Sequence, residues 1–171
     1  MSRTITARPL TAAAFAPFGQ VLQVTGAPDK LINAGLCGRY HDLAALDFDD
    51  AGRAGISLFD AQPRALPHDF DLVERHPEGS QAFLPMTQAP FLVIVAPDAG
   101  GRPGAPLAFL TAPGQGINLA RGTWHGVLTP LHAPGLFAVV DRIGPGANLQ
   151  EHRYDAPWRV VAPDEAWRVG G

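Results

Sequence analysis

Apolar residues in this chain fall into short runs and alternations, and no long stripe recurs at helical spacing. Alternation at period two predicts half-buried strands, and a short continuous apolar run predicts a strand buried on both faces. On this basis strands are expected at Thr4–Ala7, Gln20–Val24, Ile56–Phe59, Leu72–His76 and Ala82–Pro85. Further strands are expected at Phe91–Ala96, Leu107–Thr111, Gly116–Leu119 and Leu136–Asp141. Thr11 is placed to cap a one- or two-turn helix through Ala12–Phe15, which Pro17 and Gly19 end. Leu31–Leu43 is mixed. The separators Pro97–Gly101, Ala112–Gly114 and Gly144–Gly146 are turn-rich. Many short strands joined by such turns predict an all-β sandwich or barrel with a few short peripheral helices. No stretch of 10–15 residues with helical periodicity separates the strands, which disfavours a parallel βαβ fold. One domain over 1–171 is expected, with a peripheral tail at 162–171 that Trp167 would anchor.

Composition sharpens this picture. Nineteen Gly and 17 Pro break helices, and 46 % hydrophobic content suffices for a packed core. A net charge of −3 without a basic run argues against nucleic acid or a charged membrane surface as partner. Cys37 is the single cysteine, so an internal disulfide and a cysteine zinc cluster are excluded, and a reducing cytoplasm suits the chain. The N-terminus has no apolar secretory core, and Phe91–Ala96 is far too short to span a bilayer.

Two segments carry the chemistry. Glu74 and His76 lie two apart, so on a strand they share a face, and Gln81 follows five later. In the second, an apolar strand breaks at Gly122 and His125 follows. In a double-stranded β-helix barrel this pattern brings Glu74, His76, Gln81 and His125 to one cavity mouth. These N/O ligands suit Mn, Fe, Ni or Zn, although Gln81 is neutral and weak. The reading leaves open a weakly held divalent metal (Ni, Mn or Zn) or a hydrogen-bonded polar cluster with no metal. His125 or His76, titrating near neutrality, is expected to be the base, with Glu74 orienting a histidine or serving as acid.

Cations for an anionic substrate come from several places. Asp141-Arg142 ends an apolar strand, where an Arg fork suits a carboxylate or an ordinary ion pair. Arg121 precedes the Gly122 turn. Arg39 is a second candidate carboxylate anchor, His41 a carbonyl partner, and Asn33 and Tyr40 belong to the same stretch. His68 and His132 read as surface residues, and Glu78 as solvated. Asn148 and Glu151-His152 read as a Gly-rich loop.

These segments resemble the ureidoglycolate lyase (ureidoglycolate hydrolase) family of allantoin breakdown. The matching stretches are Glu74–Pro77 into Gly79–Pro85, Phe91–Ala96, Trp124-His125, Val140–Arg142 through Gly146 and Asn148, Asn33–Gly35 and Arg39–Leu43. Pro9–Thr11 with Phe15–Gly19 match too, so the resemblance covers roughly residues 5–160. It implies a cupin-type barrel, usually homodimeric, that cleaves (S)-ureidoglycolate to glyoxylate and urea. It also implies a divalent metal, nickel among those suggested, that stimulates without being strictly required. Three positions depart from the family pattern. Gly126 and Ala120 stand where the family usually has His, and Asp60 stands where it commonly has Arg. Alternatives are another cupin enzyme for a small carboxylic acid, such as an isomerase, decarboxylase or dioxygenase, or a non-catalytic cupin that binds such an acid.

Overall fold

The structure is a computed structural model that describes residues 3–163. The expected anchor Trp167 and most of the expected tail lie outside the described residues. The strands are β1 (Arg3–Thr6), β2 (Arg8–Pro9), β3 (Gly19–Leu22), β4 (Lys30–Ile32), β5 (Cys37–Arg39), β6 (Arg53–Ala61), β7 (His68–Arg75) and β8 (Gln81–Pro85). They continue with β9 (Phe91–Ala96), β10 (Leu107–Leu110), β11 (Gly116–Leu119), β12 (Trp124–His125), β13 (Thr129–Pro130), β14 (Gly135–Ile143) and β15 (Gln150–Val161). Among the described residues the α-helix is α1 (Ala12–Phe15), where the Thr11 hydroxyl accepts from the Ala14 amide at 3.2 Å.

An eight-stranded sheet runs β1-β15-β7-β12-β9-β10-β2, with β13 also on β9. Its two edges are joined in sequence through Ala7 alone, so the sheet curls until β1 nearly meets β10. A five-stranded sheet, β3-β11-β8-β14-β6, packs against it. The result is a cupin-like β-barrel. The inter-sheet core joins Phe91, Val93 and Val95 of β9 to Phe83 of β8, Ile117 and Leu119 of β11, and Phe137 and Val139 of β14. The opposite face of β9, Leu92 and Ile94, packs on Ala7, Ala108, Leu110 and Val160 inside the curl. Both faces of β9 are therefore dry, which is why its six residues read as an unbroken apolar run.

Glu151 and His152 are a correction. Asn148 lies in the expected loop, but those two belong to β15, the longest strand, which pairs antiparallel with β7 and parallel with β1. Its register on β7 shifts between Arg153 and Trp158, a bulge that accommodates Pro157. His68 is buried, not on the surface, and stacks on Phe70. Glu78 lies 3.3 Å from Arg142 and is not simply solvated.

That contact belongs to a cluster which fixes the loops beneath one end of the barrel. The Arg142 side chain is 2 % exposed. Its Nε and Nη2 donate to the two Asp49 oxygens at 2.5 and 3.1 Å, and Nη2 also donates to the Pro145 carbonyl at 3.0 Å. Gly79 allows this packing, because a Cβ there would stand 2.7 Å from the Arg142 Cβ. The Arg142 hydrogen bonds hold the Asp49 carboxyl below the usual carboxylate range. The sign of the linkage follows. The contribution is complete above the unfolded carboxyl pKa of about 4 and is lost as pH falls through the lower folded value. Asp49→Asn should therefore lower Tm at neutral pH. Below about pH 4 the wild-type Tm should fall more steeply than the variant's. Parallel slopes in thermal melts would show that the pair does not titrate with folding.

Candidate active site

β12 places the decisive side chain. It has two residues, and it pairs with β7 on one side and β9 on the other. His125 is directly opposite Glu74 and also opposite Val95, so all three face the inter-sheet interior. The turn before it is anchored to the other motif, since the Gly122 amide donates to the His76 carbonyl at 2.9 Å. Gly122 takes φ of +77°, which only glycine adopts at little cost. Trp124 faces the other way, donates to Asp98 at 3.0 Å and carries the Arg75 guanidinium 4.4 Å above its ring.

His76 lies one residue past β7, yet its side chain converges on the same point. The rings of His76 and His125 have centroids 5.2 Å apart. Ligand atoms of Glu74, His76 and His125 all lie within 4.8 Å of one another. Each ring is pinned through Nδ1, His76 to the Asn148 carbonyl at 2.8 Å and His125 to the Gly126 carbonyl at 2.9 Å. A carbonyl only accepts, so both Nδ1 atoms carry the proton, and in the neutral form of each ring Nε2 presents the lone pair. Among the described residues both Nε2 atoms are buried without a hydrogen-bond partner, and so is Gln81 Oε1. Two oriented, unpartnered imidazole nitrogens beside a carboxylate fit a divalent metal chemically.

The electrostatics correct one expectation. His125 is 3 % exposed. Burial, together with the charge of His76 and against the Gly126 hydrogen bond, depresses its pKa to about 4. It is therefore a neutral acceptor at pH 7, not a base titrating near neutrality. Glu74 moves the other way. Burial raises its pKa, the charge of His76 opposes this, and Glu151 adds to it. Glu151 is the ladder partner of Glu74 on β15.

The remaining expected residues divide. Gln81 is buried, faces inward beside Leu119 of β11, and donates through Nε2 to Asp141 Oδ2 at 3.2 Å. Arg121 sits at the rim, where its Nε donates to the Pro77 carbonyl at 2.7 Å and its Nη1 lies 3.7 Å from Asp47. Arg142 is not brought to the cluster, because adjacent strand residues face opposite ways and its donors are held by Asp49, Glu78 and Pro145. Asn33, Arg39, Tyr40 and His41 are not brought there either. They belong to the β4–β5 hairpin, a separate two-stranded sheet. In it Tyr40 donates to the Gly26 carbonyl and the His41 amide donates to Asp29. Sequence reasoning gave Asn148 little weight, and its role rests on a backbone carbonyl that leaves no residue-type signal.

Against protein families, residues 2–161 match the ureidoglycolate lyase family. The chain belongs to this family. It is 70 % identical over 152 residues to a ureidoglycolate lyase of Rhodobacter capsulatus, covering 89 % of this chain and 94 % of that one. It is 51 % identical to ureidoglycolate lyase 2 of Rhizobium meliloti, covering 90 % and 94 % respectively. It is 50 % identical to the ureidoglycolate lyase of Chelativorans sp., covering 95 % and 99 %. For this ureidoglycolate lyase family member the three departures fall in different places. Asp60 pairs with Leu136 on β6, whereas Gly55 pairs with Asp141. Five residues along a strand is roughly 17 Å, so the charge reversal is remote from the mouth of its own chain. At Gly126 a Cβ would stand 3.0 Å from that of Ile94, which is too tight for a histidine without a shift. Ala120 lines a surface cavity of about 290 Å³ beside Arg121 and Trp124.

The buried His125 makes a prediction about acid stability. Its folded pKa lies below the unfolded value of about 6.5, so the folded state resists protonation and stability falls as pH drops from about 6.5 to about 4. The integrated loss is roughly 3 kcal/mol. Urea titrations of EDTA-treated protein across this window should show that slope, and His125→Gln should flatten it. An unchanged slope would place the titration elsewhere.

Proposed function

We propose that the chain is a ureidoglycolate lyase that cleaves (S)-ureidoglycolate to glyoxylate and urea. The carrying observation is the pair of inward-facing, unpartnered Nε2 atoms beside a carboxylate of raised pKa, in a chain of this family. Allantoin nitrogen catabolism in the cytoplasm is the setting the reading implies. Among the described residues no helix is long and apolar enough to cross a membrane.

The substrate carries a hydroxyl, a carboxylate and a urea nitrogen on one carbon. Cleavage removes the hydroxyl proton, the oxygen's electron pair forms the carbonyl, and the C–N pair leaves with the urea nitrogen, which is then protonated. Glu74 serves both transfers: its carboxylate accepts the hydroxyl proton, and the resulting acid returns it to the nitrogen. Its raised pKa brings donor and acceptor strengths closer to operating pH. His76 and His125 accept hydrogen bonds or hold a metal through Nε2, and their pinned Nδ1 atoms keep them from wandering. Gln81 Oε1 adds a neutral acceptor for a urea N–H or a fourth ligand atom. A divalent metal (Ni, Mn or Zn) held by His76, His125, Glu74 and Gln81 would polarise the substrate's oxygens and balance its carboxylate. Arg121 at the rim is the cation nearest in sequence to that turn. The space under His125, about 20 Å³ lined by Phe83, Phe91 and Ile117, is too small for substrate, which must bind on the mouth side.

A homodimer is part of this reading. β6 is an edge of the five-stranded sheet and pairs with β14 alone among the described strands. Ile56 and Leu58 on it are 76 % and 65 % exposed, and Leu84 and Met86 extend the apolar face. From Ala54 to Phe59 no charge or proline blunts the edge. A second copy's β6, antiparallel about a twofold axis at Ser57, would complete it, with Ile56 of each copy opposite Leu58 of the other.

Racemic ureidoglycolate should yield glyoxylate and urea in equal amounts from half of the substrate. His125→Ala should lower kcat/KM by about 10²-fold or more with the fold intact by circular dichroism. Glyoxylate with ammonia instead of urea would make it a hydrolase, and no product above blank would remove the assignment. For the assembly, oxidised Ser57→Cys should run as a covalent dimer. A monomer by light scattering, uncrosslinked under oxidation, would exclude this edge.

A further inference from the structure

The mouth holds one side chain whose chemistry depends on which way round it sits. A glutamine amide offers an acceptor at Oε1 and two donors at Nε2. We propose that Asp141 is a positioning residue that turns Gln81 so its oxygen, and not its amide nitrogen, faces the site. The inference rests on the metal-binding reading of this mouth and adds to it a residue that does not itself touch the ligand.

The β8–β14 register pairs Val139 with Phe83 and Val140 with Ala82. One step further it sets Asp141 against Gln81. Phe83 and Val139 point into the inter-sheet core, so by alternation Gln81 and Asp141 do too. The pair forms one hydrogen bond, Gln81 Nε2 to Asp141 Oδ2 at 3.2 Å. An ionised carboxylate only accepts, so the reversed amide would bring two oxygens together and lose the bond. With the nitrogen committed, Oε1 is left buried and unpartnered. Gln81 is 7 % exposed, so water does not reorganise freely around it. Hydrogen bonding to the carboxylate also polarises the amide and makes Oε1 a better donor of electron density. The arrangement suits a neutral glutamine, because a second carboxylate beside Asp141 would be repelled.

The test is a double-mutant cycle read by calorimetric titration of Ni²⁺ into EDTA-stripped protein, in a Cys37→Ser background because Cys37 is an exposed competing thiol. Asp141→Ala should weaken Ni²⁺ affinity about tenfold. Asp141→Asn, which keeps an acceptor, should fall between it and the parent. In a Gln81→Met background, Asp141→Ala should change affinity less than about twofold, because Asp141 acts only through the amide. An equal loss in both backgrounds would mean that Asp141 acts as a bare charge or a structural prop, and would overturn the proposal. A parent that binds no Ni²⁺ would overturn it as well. Circular dichroism melts keep misfolded variants out of the cycle. Ureidoglycolate turnover on the same parent separates the two readings, since metal binding without turnover removes the lyase assignment and leaves this inference standing.

Discussion

Everything at the mouth depends on the two-residue strand β12 being clamped from both sides. His125 can face inward only because its backbone is laddered to Glu74 on β7 and to Val95 on β9 at once. A one-residue slip would reverse the facing of Trp124 and His125, putting the indole into the inter-sheet core and the histidine against Val73 and Ala96. Three local devices resist that slip. The Gly122 turn is tied to the His76 carbonyl, Trp124 is tied to Asp98, and the Gly126 amide donates to the Ile94 carbonyl at 2.9 Å. The Gly126 contact also fixes the His125 ring, because the carbonyl that receives its Nδ1 belongs to backbone already held in place.

The mouth that results is rich in acceptors and poor in cations. Glu74 and Glu151 are ladder partners, Asp141 accepts from Gln81 on the other sheet, and both histidine Nε2 atoms lack a partner among the described residues. Arg75, adjacent to Glu74, is bound to Asp98 and Gln150. Arg142 is bound to Asp49 and Glu78. A site so built attracts a cation and repels a bare carboxylate, so an anionic substrate needs a positive centre there. On the proposed reading that demand falls to a metal or to Arg121 at the rim, since the arginine on β14 is held by Asp49 and Glu78.

Much of the barrel was legible because periodicity reports burial. Phe91–Ala96, Gly116–Leu119 and the Thr11-capped helix are found where the pattern puts them. β15 was not legible. Its half-buried positions include His152, Tyr154 and Ala156, and Asp155-Ala156-Pro157 imitates a turn where the strand in fact bulges. At the site, residue types alone pointed to Glu74, His76 and His125, which the structure brings together. They could not reveal that burial takes His125 out of the neutral range, because desolvation is a property of the assembled core. Nor could they distinguish an arginine aimed at ligand from one consumed by Asp49, since that depends on which face of β14 carries it.

The β4–β5 hairpin differs from the rest in how its order is maintained. Among the described residues its two strands pair only with each other, and Asn33 and Ala34 take positive φ at its tip. Hydrogen bonds from Tyr40 to Gly26 and from His41 to Asp29 hold it to its own neighbouring loop. The barrel core takes no part in these contacts, so the free energy of opening the hairpin is decoupled from that of unfolding the barrel. Opening it leaves undisturbed the register on which the histidines depend. The chain thus separates into a barrel frame that holds the histidines and an appendage that can open on its own.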